Sequence, residues 1–433
     1  MPKTWADLAG LRIGILGAGV EGRDAFKRLQ GSAASIVVVD DKPDVLLDGV
    51  TVLETHRGGL EALGTCDVIV KSPGFSRYRP DIVALAQGGI PILGALGLSL
   101  SEADPLRVIA ITGTKGKSTT ASVAFHLATA LGRRSLLIGN IGATAPERDE
   151  LLSYDLIIAE VSSFQALDLE VSPGVVVVTS LGVDHVDWHG SVDQYRSDKL
   201  RITRLPGNHH SVLQGRDEIL RAESDQIGGT MIWSDALAGN WAQPLNLVGD
   251  HNRANAELAR IALVQAGMEE AQDLARLTQA ATGFSPLEGR LSLVGTHRGV
   301  TFIDDSLATN VTPTMAALDA FEGRRLALLL GGYDRGIDYS ELLDRLAARD
   351  AETFVIGLPD SGSVLVEQLQ TRSGHGAVAI ADSIAEAVAL GYAFASSDGV
   401  VLLSPAAPSF SQFRNWKERS EAFRQAVSTV TDS

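Results

Sequence analysis

VIAITGTKGKST (108–119) carries the reading of the whole chain. Val108–Thr112 is an apolar run of strand length, and it passes directly into Gly113-Thr114-Lys115-Gly116-Lys117-Ser118-Thr119, which opens a helical pattern over 117–131. Strand, glycine-rich turn and helix N-terminus together make a phosphate cradle, because turn amides and the helix dipole both face the anion. Position 111 is Ile where the longer phosphate-loop pattern has its first glycine, so a shorter loop is expected. Lys117 is placed to neutralise a terminal phosphate and the Ser118 hydroxyl to reach magnesium, with ATP or GTP as the ligand.

Outward from this loop the same alternation continues. SLLIG (135–139), DLIIAE (155–160) and GVVVVTS (174–180) read as buried strands, 206–250 as less regular chain, and 251–267 as an amphipathic helix. Upstream, RIGIL (12–16), SIVVVD (35–40) and DVIVKS (67–72) surround a helix at 22–30, with SEADPLR (101–107) as a linker. Downstream come VTFID (300–304), RLALLLGG (325–332), TFVIG (353–357) and GVVLLSP (399–405). This pattern predicts three α/β domains over 1–104, 105–285 and 286–433, in keeping with 433 residues. A net charge of −16 argues against nucleic acid or an anionic membrane as the main partner. Cys66 is the single cysteine, which excludes an intrachain disulfide and a cysteine zinc cluster. The N-terminus lacks signal-peptide features, and no apolar run approaches the ~20 residues of a membrane span. A soluble cytoplasmic protein is the expectation.

Gly17-Ala18-Gly19-Val20-Glu21-Gly22 is a second glycine turn, with Asp40 ending the next strand. It suits a diphosphate-bearing nucleotide such as NAD, or simply a tight strand–helix turn. Glu160 and the pair Asp184-His185 follow strands of the central region; Glu160 and His185 are each a divalent-ion ligand in the presence of phosphates, or an ordinary polar loop residue. Lys199 reads as a solvated lysine on a charged helix face. Arg290, Asp305 and Arg335 read equally well as surface charges.

The combination of motifs is more specific. GTKGKSTT (113–120), GNIG (139–142), EVSSFQ (160–165), DHVD (184–187), YRSDKLR (195–201), HNRAN (251–255), DDSLATN (304–310), GGYDRG (331–336) and LLSPAAPSFSQF (402–413) together resemble the Mur ligases of peptidoglycan assembly, most closely the glutamate-adding MurD type. The resemblance implies a Rossmann-like N-terminal domain for a UDP-sugar, a central phosphate-loop ATPase domain and a Rossmann-like C-terminal domain for the amino acid. It implies UDP-sugar contacts from Gly17, Ala18, Gly19, Asp40, Asp41, Ser72, Pro73, Gly74, Asn140 and His185. ATP contacts would come from Gly113, Thr114, Lys115, Gly116, Lys117, Ser118, Thr119, Asn252, Asn255, Arg290 and Asp305. Two magnesium ions would be held by Ser118 and Glu160, and by His185 and Lys199, the lysine as a CO2-derived carbamate. Lys117, Glu160, His185, Lys199 and Arg290 would be the catalytic set. Glutamate would meet Thr309, Arg335, Ser409, Phe410 and Trp416. The implied reaction joins glutamate to UDP-N-acetylmuramoyl-L-alanine through an acyl phosphate, in a cytoplasmic enzyme expected to be a monomer.

Several positions depart from the common D-glutamate pattern: Lys115 for Asn, Ser180 for Asn, Leu307 for Lys, Trp188-His189 after DHVD, Pro408-Ser409-Phe410 and Trp416 in the third domain, and KSPGFSRYRP over 71–80. They resemble the branch that adds L-glutamate, which is the favoured expectation, with D-glutamate the alternative. A related ligase of the folylpolyglutamate or diamino-acid type, an NAD-dependent oxidoreductase and a non-catalytic nucleotide-binding regulator are the remaining alternatives.

Overall fold

Four consecutive valines, Val175–Val178, suit a strand covered on both faces, and in the computed structural model they lie inside an all-parallel six-stranded sheet. The structure describes residues 2–42, 50–410 and 412–431; Ser411, within the 402–413 motif, lies outside them.

The N-terminal sheet contains β1 (Arg12–Leu16), β2 (Ser35–Asp40), β3 (Val52–Glu54), β4 (Val68–Lys71) and β5 (Ile92–Gly94), in the parallel order β3-β2-β1-β4-β5. The central sheet contains β6 (Val108–Thr112), β7 (Ser135–Gly139), β8 (Leu156–Glu160), β9 (Val175–Val178), β10 (His210–Gln214) and β11 (Thr230–Ser234), in the order β11-β10-β9-β6-β8-β7. The C-terminal sheet contains β12 (Ser292–His297), β13 (Val300–Asp304), β14 (Leu326–Leu330), β15 (Thr353–Gly357), β16 (Ala377–Ile380) and β17 (Val400–Leu403), in the order β12-β13-β17-β14-β15-β16. Only β12 runs antiparallel, as a hairpin with β13. The segment 206–250, expected to be irregular, supplies β10 and β11. Their polar ends, His210, Gln214, Thr230 and Ser234, hide short strands at the margin of the sheet.

The chain divides into two compact units, Met1–Pro244 with Ala254–Phe284, and Leu245–Arg253 with Ser285–Ser433. The first unit contains the N-terminal and central sheets, the second the C-terminal sheet. The strand order changes direction at β1 in the N-terminal sheet, at β6 and β8 in the central sheet, and at β17 and β14 in the C-terminal sheet, so that β1, β6 and β17 each mark a switch point. Open α/β sheets leave a crevice at that point, beyond the carboxyl ends of the strands. The turn 17–22 and the loop 72–74 follow β1 and its neighbour β4. The phosphate loop follows β6, and Glu160 ends the adjacent β8, its backbone level with Ile111. Asp305 follows β13, next to β17. The motifs thus fall where parallel sheets collect ligands.

Candidate active site

Two glycines shape the phosphate loop. Gly113 has φ 141° and Gly116 φ 89°. A Cβ at Gly113 would lie 2.2 Å from Thr179 Oγ1, and one at Gly116 2.5 Å from Asn255 Oδ1. Asn255 therefore borders the loop, as its expected role requires. Lys117 opens the helix Lys117–Ala130 and donates from Nζ to the carbonyls of Gly113 (2.9 Å) and Thr114 (3.1 Å).

Lys199 is not the solvated lysine that its charged helix suggested. It is 1% exposed, and its Nζ donates to the same Gly113 carbonyl at 2.9 Å. Burial, reinforced by the Lys117 charge, pushes its amine well below the ordinary lysine range. A buried amine sharing one acceptor with another ammonium is most stable uncharged. The helix Val192–Arg204 conceals this in sequence because Lys199 lies on its inner face with Tyr195, Leu200 and Ile202.

Beside the loop, Glu160 is fully buried at the end of β8. Its Oε1 accepts from Ser118 Oγ (3.1 Å) and Asn140 Nδ2 (3.0 Å), while Oε2 is buried without a hydrogen-bond partner. An orphaned carboxylate oxygen costs free energy unless a ligand satisfies it, and a hard cation shared with Ser118 would do so. His185 takes the left-handed conformation at φ 48° and packs its ring 4.7 Å from Phe164. Its pKa is lowered by burial, which Asp184 opposes, and then by Lys199, Lys115 and Lys117. A neutral imidazole is the form that binds metal. No group of three or more His, Cys, Asp or Glu suited to a metal occurs among the described residues. Metal here would draw on the Ser118 hydroxyl, phosphate oxygens and a changed Lys199 as well as Glu160 and His185.

Two of the departures meet. The Lys115 backbone N–H donates to Ser180 Oγ (2.8 Å), Ser180 Oγ donates to the Lys115 carbonyl (3.0 Å), and Lys115 Nζ lies 3.2 Å from Asp184 Oδ2. Ser180 thus bonds the backbone of residue 115, while the Lys115 side chain is paired with Asp184.

In the N-terminal turn, Gly17 has φ 103° and a Cβ there would lie 2.6 Å from Ser72; one at Gly22 would lie 1.8 Å from the Gly17 carbonyl. Folding requires both. Gly19 is different: its φ is −69° and a Cβ would meet nothing within 4 Å. Asp40 braces the turn, accepting from the Ala18 backbone N–H at 2.7 Å, and Asp41 is ion-paired with Arg79. Ser72 Oγ donates to the Gly17 carbonyl (3.2 Å), so the 72–74 loop closes against the turn. Glu21 accepts from Gln165 Nε2 (2.9 Å), and burial raises its pKa to about 7.

The C-terminal unit contains the remaining candidates. Asp305 is buried, accepts from Ser404 Oγ (2.7 Å) and the Leu291 backbone N–H (3.2 Å), and is pushed up to about 7 by desolvation. It is not a surface charge, whereas Arg290 and Arg335 are exposed, the latter 5.6 Å from the Phe410 ring centroid. Ser409 is buried, Thr309 half-buried, Phe410 exposed, and Trp416 packs over Gly289. Asn252 Nδ2 donates to the Val248 carbonyl. Nothing local in the sequence marks Arg419. Buried in the helix Trp416–Thr431, it donates to the carbonyls of Ala407 and Ser306, tying the loops after β17 and β13.

Residues 111–243 match the Mur ligase middle domain, and residues 289–407 the Mur ligase, glutamate ligase domain. A UDP-N-acetylmuramoyl-L-alanine–L-glutamate ligase from Micromonospora sp. is 37% identical over 98% of this chain and 97% of its own. One from Xanthomonas euvesicatoria pv. vesicatoria is 32% identical over 97% and 96%. Among solved structures, the UDP-N-acetylmuramate-alanine ligase of Thermotoga maritima superposes with a TM-score of 0.58 at 18% identity, covering 97% of this chain and 100% of that one. The latter likeness concerns the fold.

Proposed function

The chain belongs to the Mur ligase family, and from that premise we propose that it joins L-glutamate to UDP-N-acetylmuramoyl-L-alanine at the expense of ATP. The observation that carries the substrate is full-length identity of 31–37% to relatives named for this reaction. The NAD-dependent and non-catalytic readings fall with family membership.

A carboxylate resists amine attack, being anionic and without a leaving group. In the proposed course its oxygen attacks the γ-phosphorus of ATP, ADP departs, and an acyl phosphate forms. The glutamate amine then attacks the acyl carbon, loses a proton, and phosphate leaves. The phosphate-loop amides and Lys117 bind and orient the γ-phosphate and offset charge that grows in transfer. Asn140 and Ser118 fix the Glu160 carboxylate with one oxygen left over. Magnesium at Ser118 and Glu160, and a second ion at His185 and Lys199, would supply further charge neutralisation. The suppressed basicity of Lys199 supports its expected modification: an uncharged amine is the nucleophile that adds CO2, and the carbamate would turn it into an oxygen ligand beside Lys117. Arg290 is assigned to the γ-phosphate and Asp305 to the ribose region; Asn252 and Asn255 are assigned to ATP. Thr309, Arg335, Ser409, Phe410 and Trp416 are assigned to glutamate. Gly19, whose Cβ space is open, supports close approach of the UDP-sugar diphosphate to the first turn. We assign the UDP-sugar to 1–104, ATP to 105–285 and glutamate to 286–433.

Phosphate release should require ATP, magnesium, UDP-N-acetylmuramoyl-L-alanine and glutamate together. Assaying both glutamate enantiomers tests the stereochemistry, with a preference for the D-isomer overturning it.

A further inference from the structure

Two stretches singled out as departures, 71–80 and Trp188-His189, face each other within the first unit. Ser76 Oγ donates to the Trp188 carbonyl (2.7 Å), and Trp188 Nε1 donates to the Pro73 carbonyl (3.2 Å). From the same loop the Tyr78 hydroxyl reaches both oxygens of Asp198 at 2.9 Å. The Asp198 side chain is 4% exposed; it also accepts from Gln194 Nε2 (2.7 Å) and lies 2.6 Å from His189 Nδ1. The other ring nitrogen of His189 is 3.0 Å from Ser163 Oγ. The hydrogen-bonded series therefore runs Tyr78, Asp198, His189, Ser163.

Its members border each position assigned above to the metal–nucleotide site. Asp198 precedes Lys199 on one helix, His189 follows His185 by four residues, and Ser163 follows Glu160 by three. At its other end Tyr78 shares a loop with Ser72-Pro73-Gly74. Adhesion between the two sheets' layers does not depend on this hydroxyl. Asp168 is ion-paired there with buried Lys71 and with Arg77, and the Trp188 ring packs edge-on to Tyr78. What the hydroxyl adds is one of the few donors to a buried carboxylate. A buried carboxylate holds its position through its donors, so Asp198 ties the 72–80 loop to the helix bearing Lys199.

We propose that Tyr78 is a positioning residue whose hydroxyl couples seating of the UDP-muramoyl-alanine diphosphate on the 72–74 loop to alignment of Glu160, His185 and Lys199 around the metal–nucleotide. The inference rests on the function proposed above. Coupling of this kind is reciprocal between the two ligands.

The test is calorimetric titration of the full chain with magnesium-ADP, with and without saturating UDP-N-acetylmuramoyl-L-alanine. The wild-type chain should bind magnesium-ADP about tenfold more tightly when the UDP-sugar is present, within the range usual for coupled sites. Tyr78→Phe retains the ring, and should bind each ligand alone normally and melt normally, while the tightening shrinks to about twofold or less. Equal tightening in both proteins, or none in the wild type, overturns the proposal. A defect confined to Tyr78→Ala assigns the effect to ring packing and overturns the hydroxyl route. Failure of the wild-type chain to bind the UDP-sugar at all sinks the functional reading, and this inference with it.

Discussion

At the ends of β1 and β6 the chain makes the same manoeuvre, a strand entering a helix through a glycine turn, yet the side chains around the two turns differ. Around Gly113–Ser118 three lysines converge, Lys115, Lys117 and the uncharged Lys199, and two of the three share the Gly113 carbonyl. Around Gly17–Gly22 the charges are mixed: Asp40 holds the Ala18 N–H, Arg23 Nε donates to the Ala18 carbonyl (3.1 Å), and Glu21 occupies the first turn of the helix Val20–Leu29. Glycine spacing alone thus specifies backbone shape. The surrounding ions specify how much charge the ligand brings to the chemistry: a transferring phosphoryl group calls for cations, whereas a diphosphate that only anchors a substrate is held by amides and the helix terminus.

Three perturbations would break or sharpen that contrast. Lys199→Ala should have the largest effect, lowering ligation by about a thousandfold or more, the scale of losing a preorganised electrostatic group. UDP-sugar binding and the circular dichroism spectrum should stay unchanged. Near-normal turnover would remove Lys199 from the reaction. At the first turn, Gly22→Ala forces a Cβ onto the Gly17 carbonyl and should destabilise folding by about 3 kcal/mol, as overpacking does. Gly19→Ala should leave the melting temperature unaltered, because its Cβ space is open. It should nevertheless raise the KM for the UDP-sugar by about tenfold, the cost of a lost close contact. Should Gly19→Ala leave KM untouched, the diphosphate does not approach that turn.

The smallest effect concerns Glu21, faced by Lys71, Asp168 and Asp24. Its folded pKa, about 7, lies above the ordinary 4.5. The folded chain therefore retains a proton that the unfolded chain has lost across this window, and this group's contribution to stability declines as pH rises from about 4.5 to 7. Glu21→Gln should flatten urea-unfolding profiles over that range by about 1–3 kcal/mol. An unchanged slope would show that burial does not hold the carboxyl protonated and that it ionises normally.

Much of the fold is legible because buried parallel strands are nearly continuous apolar runs; VIAIT, SLLIG, VTFID and TFVIG coincide with β6, β7, β13 and β15. β10 and β11 escaped because short strands with polar ends lack that signature. Within the site, the phosphate loop is local in sequence and so is readable. The burial of Lys199 and Asp305 is not, since the covering atoms come from distant segments: Gly113 for one, Ser404 and Leu291 for the other. Arg419 escaped for the same reason. An arginine in a charged helix gives no hint that it is buried against Ala407 and Ser306.

The mutual bonding of Lys115 and Ser180, with Asp184 closing the group, has a consequence for exchanging parts between homologous ligases. A phosphate loop with another residue at 115 keeps its backbone bonds to Ser180 but leaves Asp184 without its ammonium. The effect of replacing Lys115 then depends on what stands at 184. Chimeras with the more common Asn-containing loop should be cut so that 115 and 184 travel together, and a single reversion at 115 would misreport what the loop contributes.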